Sequence, residues 1–208
     1  MSISSLYAKV VNWVVLSIGK VHWVLKTPLY ASDISTLKKD LTDNYFIILT
    51  RRRNHLSTFF TSVANLILTG KWGYWSHAFM NLEDEVNNVK DFRLVEAIGT
   101  GVKYSTFDET FDVNAVVLLK PVNMPIESWT AALDKCKSEV GKPYDSLFNI
   151  KNDNELSCVE LVRTALMATP DYEKNFANFE KMIAEHKNLT PQMFYDCADF
   201  EIVYQVRR

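Results

Sequence analysis

The chain has 208 residues, of which 48% are hydrophobic, and this length allows one sizeable buried core. The formal net charge of -2 gives no electrostatic reason to expect nucleic-acid binding, so the cluster Arg51, Arg52 and Arg53 is interpreted as a solvated loop. Three cysteines without C-x-x-C spacing, and no H-x-x-x-H pair, indicate neither a disulfide framework nor a metal site. We therefore expect one folded domain with reduced thiols.

The first 42 residues are predicted to form a helical extension of a domain at 43–208. Lys9 and the apolar run 10–19 imitate a signal peptide, but Asn12 interrupts the run and no small-x-small cleavage site follows. The run is also too short to span a bilayer, which takes about 20 apolar residues. Its apolar positions recur at helical spacing: Val10, Val11, Val14, Val15, Ile18 and Val21. This amphipathic helix is expected to dock on the protein itself, a partner protein or a membrane surface, and the chain is expected in the cytoplasm or a virion.

The remaining chain alternates strand and helix patterns. Runs rich in β-branched and aromatic residues predict strands at 45–50, 75–83, 92–98, 113–121 and 199–206. Apolar residues at helical spacing predict helices at 32–41, 126–140 and 157–168. The stretch 55–68 is apolar at both helical and continuous spacing. Grouped strands with helices around them favour an α+β fold with a mostly antiparallel central sheet.

Three side chains are candidates for chemistry. Cys158 begins a predicted helix, where unpaired backbone N–H groups and the positive end of the helix dipole favour a thiolate. His77 lies in the strand "GYWSHAFMNLE" and could serve as a base for that thiol. Glu96, in the next predicted strand, could fix the imidazole tautomer. Taken singly, each also fits a structural role: a buried cysteine, a core histidine and a solvent-facing glutamate.

Five segments together indicate a family. The stretches "YWSHAFMNLE", "RLVEAIGTGV", "GKPYDSLFNI", "ELSCVELVRTAL" and "LTPQMFY" occur in the order and spacing of the circularly permuted NlpC-type papain-like amidases, the YaeF/YiiX group. The chain resembles this family over about residues 43–206. The resemblance implies a permuted papain-like fold in which the histidine comes first, its acidic or polar partner second and the cysteine last.

The resemblance also implies roles for individual residues. It makes Cys158 the nucleophile, His77 the base and Glu96 the partner that orients the base. Tyr144 and Asp145 fall on the family's G-x-P-Y-D turn near the cleft. We expect both of them to contact substrate, together with Trp75, which stands two positions before the histidine and for which packing beneath the cleft stays open as an alternative.

The implied function is a cysteine hydrolase or acyltransferase that cleaves an amide or ester. Cell-wall peptides and lipid-type acyl groups are both expected substrate classes, and the chemistry requires no cofactor. The family's Y-C-S-E-L pattern is changed, because Ser157 and Val159 replace the aromatic residue and the serine around Cys158. A non-catalytic binding or structural module that retains the fold, including a virion component, therefore stays open as an alternative.

Overall fold

The computed structural model describes residues 29–52, 56–86, 89–145, 150 and 154–208. The amphipathic helix predicted at 10–21 lies outside these ranges. The helices are α1 (Ala31–Asp43), α2 (Leu56–Thr69), α3 (Phe107–Thr110), α4 (Ser128–Ser138), α5 (Cys158–Met167), α6 (Tyr172–Asn175), α7 (Ala177–His186) and α8 (Pro191–Asp196). The strands are β1 (Ile47–Arg51), β2 (His77–Val86), β3 (Val89–Ile98), β4 (Gly101–Thr106), β5 (Ala115–Pro121) and β6 (Phe200–Arg207).

The six strands form one sheet in the order β4-β3-β2-β1-β5-β6, and every neighbouring pair is antiparallel. The prediction of an α+β fold with an antiparallel central sheet is confirmed. The central strand β1 is buried along most of its length because β2 and β5 flank it and both faces of the sheet are covered.

Alternating side chains divide the core into two layers, as the two-residue period of a strand requires. On one face, Ile48 of β1 packs in a cluster with Leu37 and Leu41 of α1. On the other face, Leu49 of β1 belongs to a larger cluster that includes Leu161 of α5. Helix α1 therefore covers one side of the sheet, while α5, the helix predicted at 157–168, packs on the other.

The strands β2 and β3 separate at one end of the sheet. Their pairing runs from Val86↔Val89 to Met80↔Val95. Strand β2 nevertheless begins three residues earlier, at His77, and β3 continues three residues further, to Ile98. Helix α5 packs against both strands. The separated strand ends leave room for side chains of the sheet to meet the beginning of this helix.

The turn at 141–145 is tied to the sheet through a close backbone approach. The Val102 N–H donates to the Lys142 carbonyl at 2.9 Å, and the Gly141 N–H donates to the Val102 carbonyl at 2.9 Å. Gly101 has a φ of +111°, and a Cβ atom there would lie 2.6 Å from the Lys142 oxygen. A residue without a side chain is needed at this position for both reasons.

Several features differ from the sequence predictions or add to them. The ambiguous stretch 55–68 forms helix α2. Strand β4 and helices α3 and α6 to α8 were not predicted. Strand β4 and helices α3, α6 and α8 are too short to hold one apolar period, whereas Phe176, Phe179 and Ile183 recur at helical spacing along α7 and this signal was missed. Helix α1 packs on the sheet through Leu37 and Leu41, while the division into an extension at 1–42 and a domain at 43–208 stays a prediction. None of the helices in the described ranges is long and apolar enough to cross a membrane.

Candidate active site

A histidine–glutamate pair bridges the separated ends of β2 and β3. His77 Nε2 lies 2.8 Å from Glu96 Oε2. Glu96 is itself held from β4 and α3, because the Ser105 hydroxyl donates to Oε1 at 2.5 Å and the Thr110 hydroxyl lies 3.5 Å from the same oxygen. Glu96 is buried, and these contacts occupy both of its oxygens. The carboxylate therefore holds one ring nitrogen of His77 in a fixed orientation.

The electrostatics of the pair favour two charged side chains. Burial raises the pKa of Glu96, but the hydrogen bond and charge of His77 and the hydrogen bond of Ser105 outweigh burial and lower that pKa to about 2. Burial lowers the pKa of His77, whereas interactions with Cys158 and then with Glu96 raise it to about 10. At neutral pH the pair is thus an imidazolium facing a carboxylate.

The Cys158 side chain lies close enough to the His77 imidazole to hydrogen bond with it. A hydrogen bond with Cys158 is the strongest influence that raises the pKa of His77. Because Nε2 is engaged with Glu96, Nδ1 is the ring nitrogen left for the sulfur. Cys158 is also the first residue of α5, so its backbone N–H is among those without an acceptor inside the helix. The structure brings together all three residues predicted to be catalytic.

The turn at 141–145 supplies a second set of polar groups near the sulfur. Tyr144 is partly buried, and its pKa is raised well above the ordinary value by burial and by the charges of Cys158, Glu160 and Asp145. Its phenol is therefore neutral at physiological pH and can donate a hydrogen bond. This position next to Cys158 is consistent with the predicted substrate contact of Tyr144, which stays a prediction.

Asp145 has a different environment from the one expected. Its side chain is fully buried and hydrogen bonds to Glu160 of α5. Burial and the neighbouring Asp145 raise the pKa of Glu160, while Glu160 Oε2 accepts the Ser157 N–H at 2.8 Å. Asp145 thereby fastens the turn to the beginning of α5. Because the Asp145 side chain is not accessible to a substrate, its burial favours a role in positioning the turn instead.

Trp75 is also inside the core rather than along a cleft. It is 1% exposed, and its ring packs edge-on against Tyr74 and lies near Tyr195. The Trp75 side chain is therefore not accessible to a substrate in this structure, contrary to the predicted contact. Val159, one of the two positions that depart from the family pattern, is likewise buried and packs in the core.

Sequence reasoning missed two residues that support the site. Ser105 and Thr110 lie on β4 and α3, which gave no recognisable pattern. A strand assigned to 101–106 would have revealed Ser105. Antiparallel pairing with β3 places Ser105 opposite Leu94, and therefore on the same face of the sheet as Glu96. Within the described ranges, no group of three His, Cys, Asp or Glu side chains is placed to hold a metal ion.

Comparison with known proteins identifies the family. Residues 46–204 match the model of the C92 peptidase family, which is described as the permuted papain-like amidase enzymes YaeF/YiiX. The chain belongs to this family. Membership supports hydrolase chemistry at a coarse level and confirms the resemblance drawn from the five sequence segments. No curated protein matches the chain.

A solved structure supports the same fold. The crystal structure of the metalloprotein YiiX from Escherichia coli O157:H7 is similar with a TM-score of 0.55 and 19% sequence identity. The similarity covers 79% of this chain and 98% of that one. At this identity the comparison shows the fold, and the prediction of a permuted papain-like fold is confirmed.

Proposed function

We propose that this protein is a cysteine hydrolase or acyltransferase in which Cys158 is the nucleophile, His77 the general acid and base, and Glu96 the residue that orients His77. The observation that carries the proposal is the arrangement around one imidazole. Its Nε2 lies 2.8 Å from a buried carboxylate oxygen, and the same imidazole interacts with the thiol of Cys158 at the beginning of a helix. This is the arrangement that an activated thiol needs: a base within reach and a third group that orients the base.

The first half of the reaction would transfer an acyl group to the enzyme. The Cys158 thiolate attacks the carbonyl carbon of an amide or ester, and the π-electron pair moves onto the carbonyl oxygen. The Cys158 backbone N–H at the beginning of α5 stabilises this oxyanion. The His77 imidazolium then gives its Nδ1 proton to the leaving amine or alcohol as the carbon–heteroatom bond breaks. The products of this half are a thioester on Cys158, a neutral imidazole and the free leaving group.

The second half restores the enzyme. Neutral His77 takes a proton from water, or from an acceptor alcohol or amine, as the oxygen or nitrogen of that molecule attacks the thioester. The carbon–sulfur bond breaks and leaves a Cys158 thiolate beside a His77 imidazolium. Throughout both halves the Glu96 carboxylate accepts from Nε2 and stabilises the cation without taking its proton.

The substrate is proposed to be a peptide or acyl-amide, or a related ester, with cell-wall peptides and lipid-type acyl groups as the two candidate classes. Tyr144 supports either class, because its neutral phenol lies near the sulfur and can donate to a substrate oxygen. We assign Tyr144 to substrate positioning and Asp145 to holding the turn that carries it.

A substrate-independent test is alkylation of the purified protein with iodoacetamide at pH 7, with each labelled site mapped. Cys136 and Cys197 are internal controls, since the three thiols are similarly buried at 0%, 3% and 6% exposure for Cys136, Cys197 and Cys158. Burial raises the pKa of Cys136 to about 12 and that of Cys197 to about 11. Their thiolate fractions at pH 7 are therefore about 10⁻⁵ and 10⁻⁴. We expect Cys158 to react at least about 100-fold faster than either.

Two variants link that reactivity to the proposed site. His77→Ala should slow labelling of Cys158 and leave the two control thiols unchanged, while Cys158→Ala should abolish hydrolysis of a p-nitrophenyl ester. Equal labelling of all three thiols would overturn the proposal. A Cys158→Ala variant with full esterase activity would overturn it as well.

A further inference from the structure

Among the described side chains of helix α2, polar ones are buried and large apolar ones are exposed, which is the reverse of an ordinary helix. Thr58, Ser62 and Asn65 are buried, at 3%, 0% and 2% exposure. Helices of globular proteins normally bury their apolar stripe and expose their polar one. Here the polar stripe faces the protein, and large apolar side chains of the same helix face outwards.

The buried stripe of α2 is fixed by specific hydrogen bonds. The Thr58 hydroxyl donates to the Ser76 hydroxyl at 3.2 Å, and Asn65 Nδ2 donates to the Lys71 carbonyl at 2.8 Å. The Thr190 hydroxyl donates to Asn65 Oδ1 at 2.6 Å. These contacts set the rotation of the helix about its axis, so the outward direction of its apolar side chains is a built feature of the fold.

The outward surface is a contiguous apolar patch. Phe59, Leu66 and Ile67 of α2 are 53%, 42% and 65% exposed, and Trp72, after the helix, is 51% exposed. The rings of Phe59 and Trp72 lie 6.1 Å apart between centroids, which joins the helix to the segment after it. We name these four side chains the α2 patch. Clustered exposed apolar side chains mark an interaction surface, whereas isolated ones need no explanation.

The charge around the α2 patch indicates what covers it. Residues 51–72 contain three arginines and one lysine and no aspartate or glutamate, a formal charge of +4 in a chain whose total is -2. Arg52 and Lys71, which precede and follow α2 along the chain, are both exposed, and one Arg52 nitrogen also donates to the Glu109 carbonyl at 3.3 Å. Cations flanking an apolar surface that carries tryptophan and phenylalanine match the interface of a membrane with anionic headgroups.

We propose that the α2 patch docks this protein on a membrane surface that contains anionic lipids. The helix lies in the plane of the interface, because its 14 residues extend only about 21 Å. Phe59, Leu66, Ile67 and Trp72 enter the boundary between headgroups and acyl chains. Arg52 and Lys71 contact lipid phosphates.

Docking through this helix places the candidate active site on the opposite side of α2 from the membrane, at least about one helix diameter, 10–12 Å, from its surface. Ser76, which receives the Thr58 hydrogen bond, directly precedes His77. Of the two proposed substrate classes, this favours acyl groups or peptides attached to membrane lipids. The docking itself does not depend on the proposed chemistry, and Cys158→Ala is expected to bind vesicles like the unaltered protein.

The test is co-sedimentation of the full chain with vesicles of phosphatidylcholine, with and without about 30% phosphatidylglycerol. The unaltered protein should bind the anionic vesicles, and raising the salt from about 0.1 to about 0.5 M should weaken binding. Ile67→Glu should reduce binding at least about tenfold, since it puts a charge where an apolar side chain entered the bilayer. Lys71→Glu should reduce binding at least about fivefold on anionic vesicles only.

Ile126→Glu is the matched control, because Ile126 is 55% exposed and lies before α4, outside the patch. It should bind like the unaltered protein, and thermal melting should show that all the variants are folded. Equal binding by Ile67→Glu and the unaltered protein would overturn the proposal, as would no binding to anionic vesicles. A dimer in solution that Ile67→Glu converts to monomers would also overturn it, because a second copy would then cover the α2 patch.

Discussion

The charge of Glu96 and its hydrogen-bonding role can be separated by two substitutions. Glu96→Gln keeps an oxygen that can accept from His77 Nε2 but removes the negative charge, whereas Glu96→Ala removes both. The pKa of His77 is about 10, compared with an ordinary 6.5, and interactions with both Cys158 and Glu96 cause this rise. Because Cys158 has the larger share, we expect Glu96→Gln to lower the pKa of His77 by about one to two pH units.

The assay is the pH dependence of kcat/KM on a p-nitrophenyl ester. Activity requires the imidazolium, so the alkaline limb of the profile should move to lower pH by the same one to two units, roughly. At the optimum, Glu96→Ala should lose about 10- to 100-fold in kcat/KM, because a charge-assisted hydrogen bond contributes about 1.5–3 kcal/mol. Glu96→Gln should lose less, since it still orients the ring.

The control is Glu201→Gln, which removes a carboxylate from an exposed position on β6 and should leave the profile unchanged. An unshifted alkaline limb in Glu96→Gln would refute the electrostatic account of His77. Identical profiles for Glu96→Gln and Glu96→Ala would refute the separate orienting role.

Three further outcomes follow from contacts near the site. Ser105→Ala removes the donor to Glu96 Oε1, and should raise the pKa of Glu96 and reduce kcat/KM about tenfold, as read from the pH profile. Gly101→Ala forces a Cβ against the Lys142 oxygen at positive φ, and should destabilise the protein by about 2–4 kcal/mol in urea unfolding. The charged pair of Glu96 and His77 stabilises the folded protein. This stability is lost as Glu96 is protonated between pH 4.5 and about 2, and as His77 is deprotonated between pH 6.5 and about 10. Unfolding free energy should therefore vary less with pH in Glu96→Gln than in the unaltered protein, in both windows.

The elements that position the candidate site were largely predictable from sequence. The strands at 75–83 and 92–98 and the helix at 157–168 appear as β2, β3 and α5 with ends shifted by a few residues. Each of these elements has a buried face, so its apolar residues recur with the period of its secondary structure and can be recognised in the sequence. Spacing alone could not decide whether His77 and Glu96 were neighbours, because register depends on pairing across the sheet and not on either strand alone.

Other features could not be predicted because they depend on contacts between distant parts of the chain. Asp145 and Trp75 were expected at a cleft, but a local sequence does not show which side of a turn or loop the rest of the protein will cover. Helix α2 is the clearest case. Its sequence was apolar at both helical and continuous spacing and did not show which face would be buried, whereas Asn65 reaches Thr190, far along the chain, and turns the polar stripe inwards.

The order of the three candidate catalytic residues along the chain has a consequence for folding. His77 and Glu96 are 19 residues apart in neighbouring strands, whereas Cys158 follows His77 by 81 residues, from 158 minus 77. Closing the longer loop costs about 1 kcal/mol more in chain entropy, so local pairing favours the histidine–glutamate contact first. A nascent or partly unfolded chain would then hold a base without its thiol. No reactive nucleophile would be assembled until the second half of the domain has docked, which protects unfinished chains and their neighbours from unintended acylation.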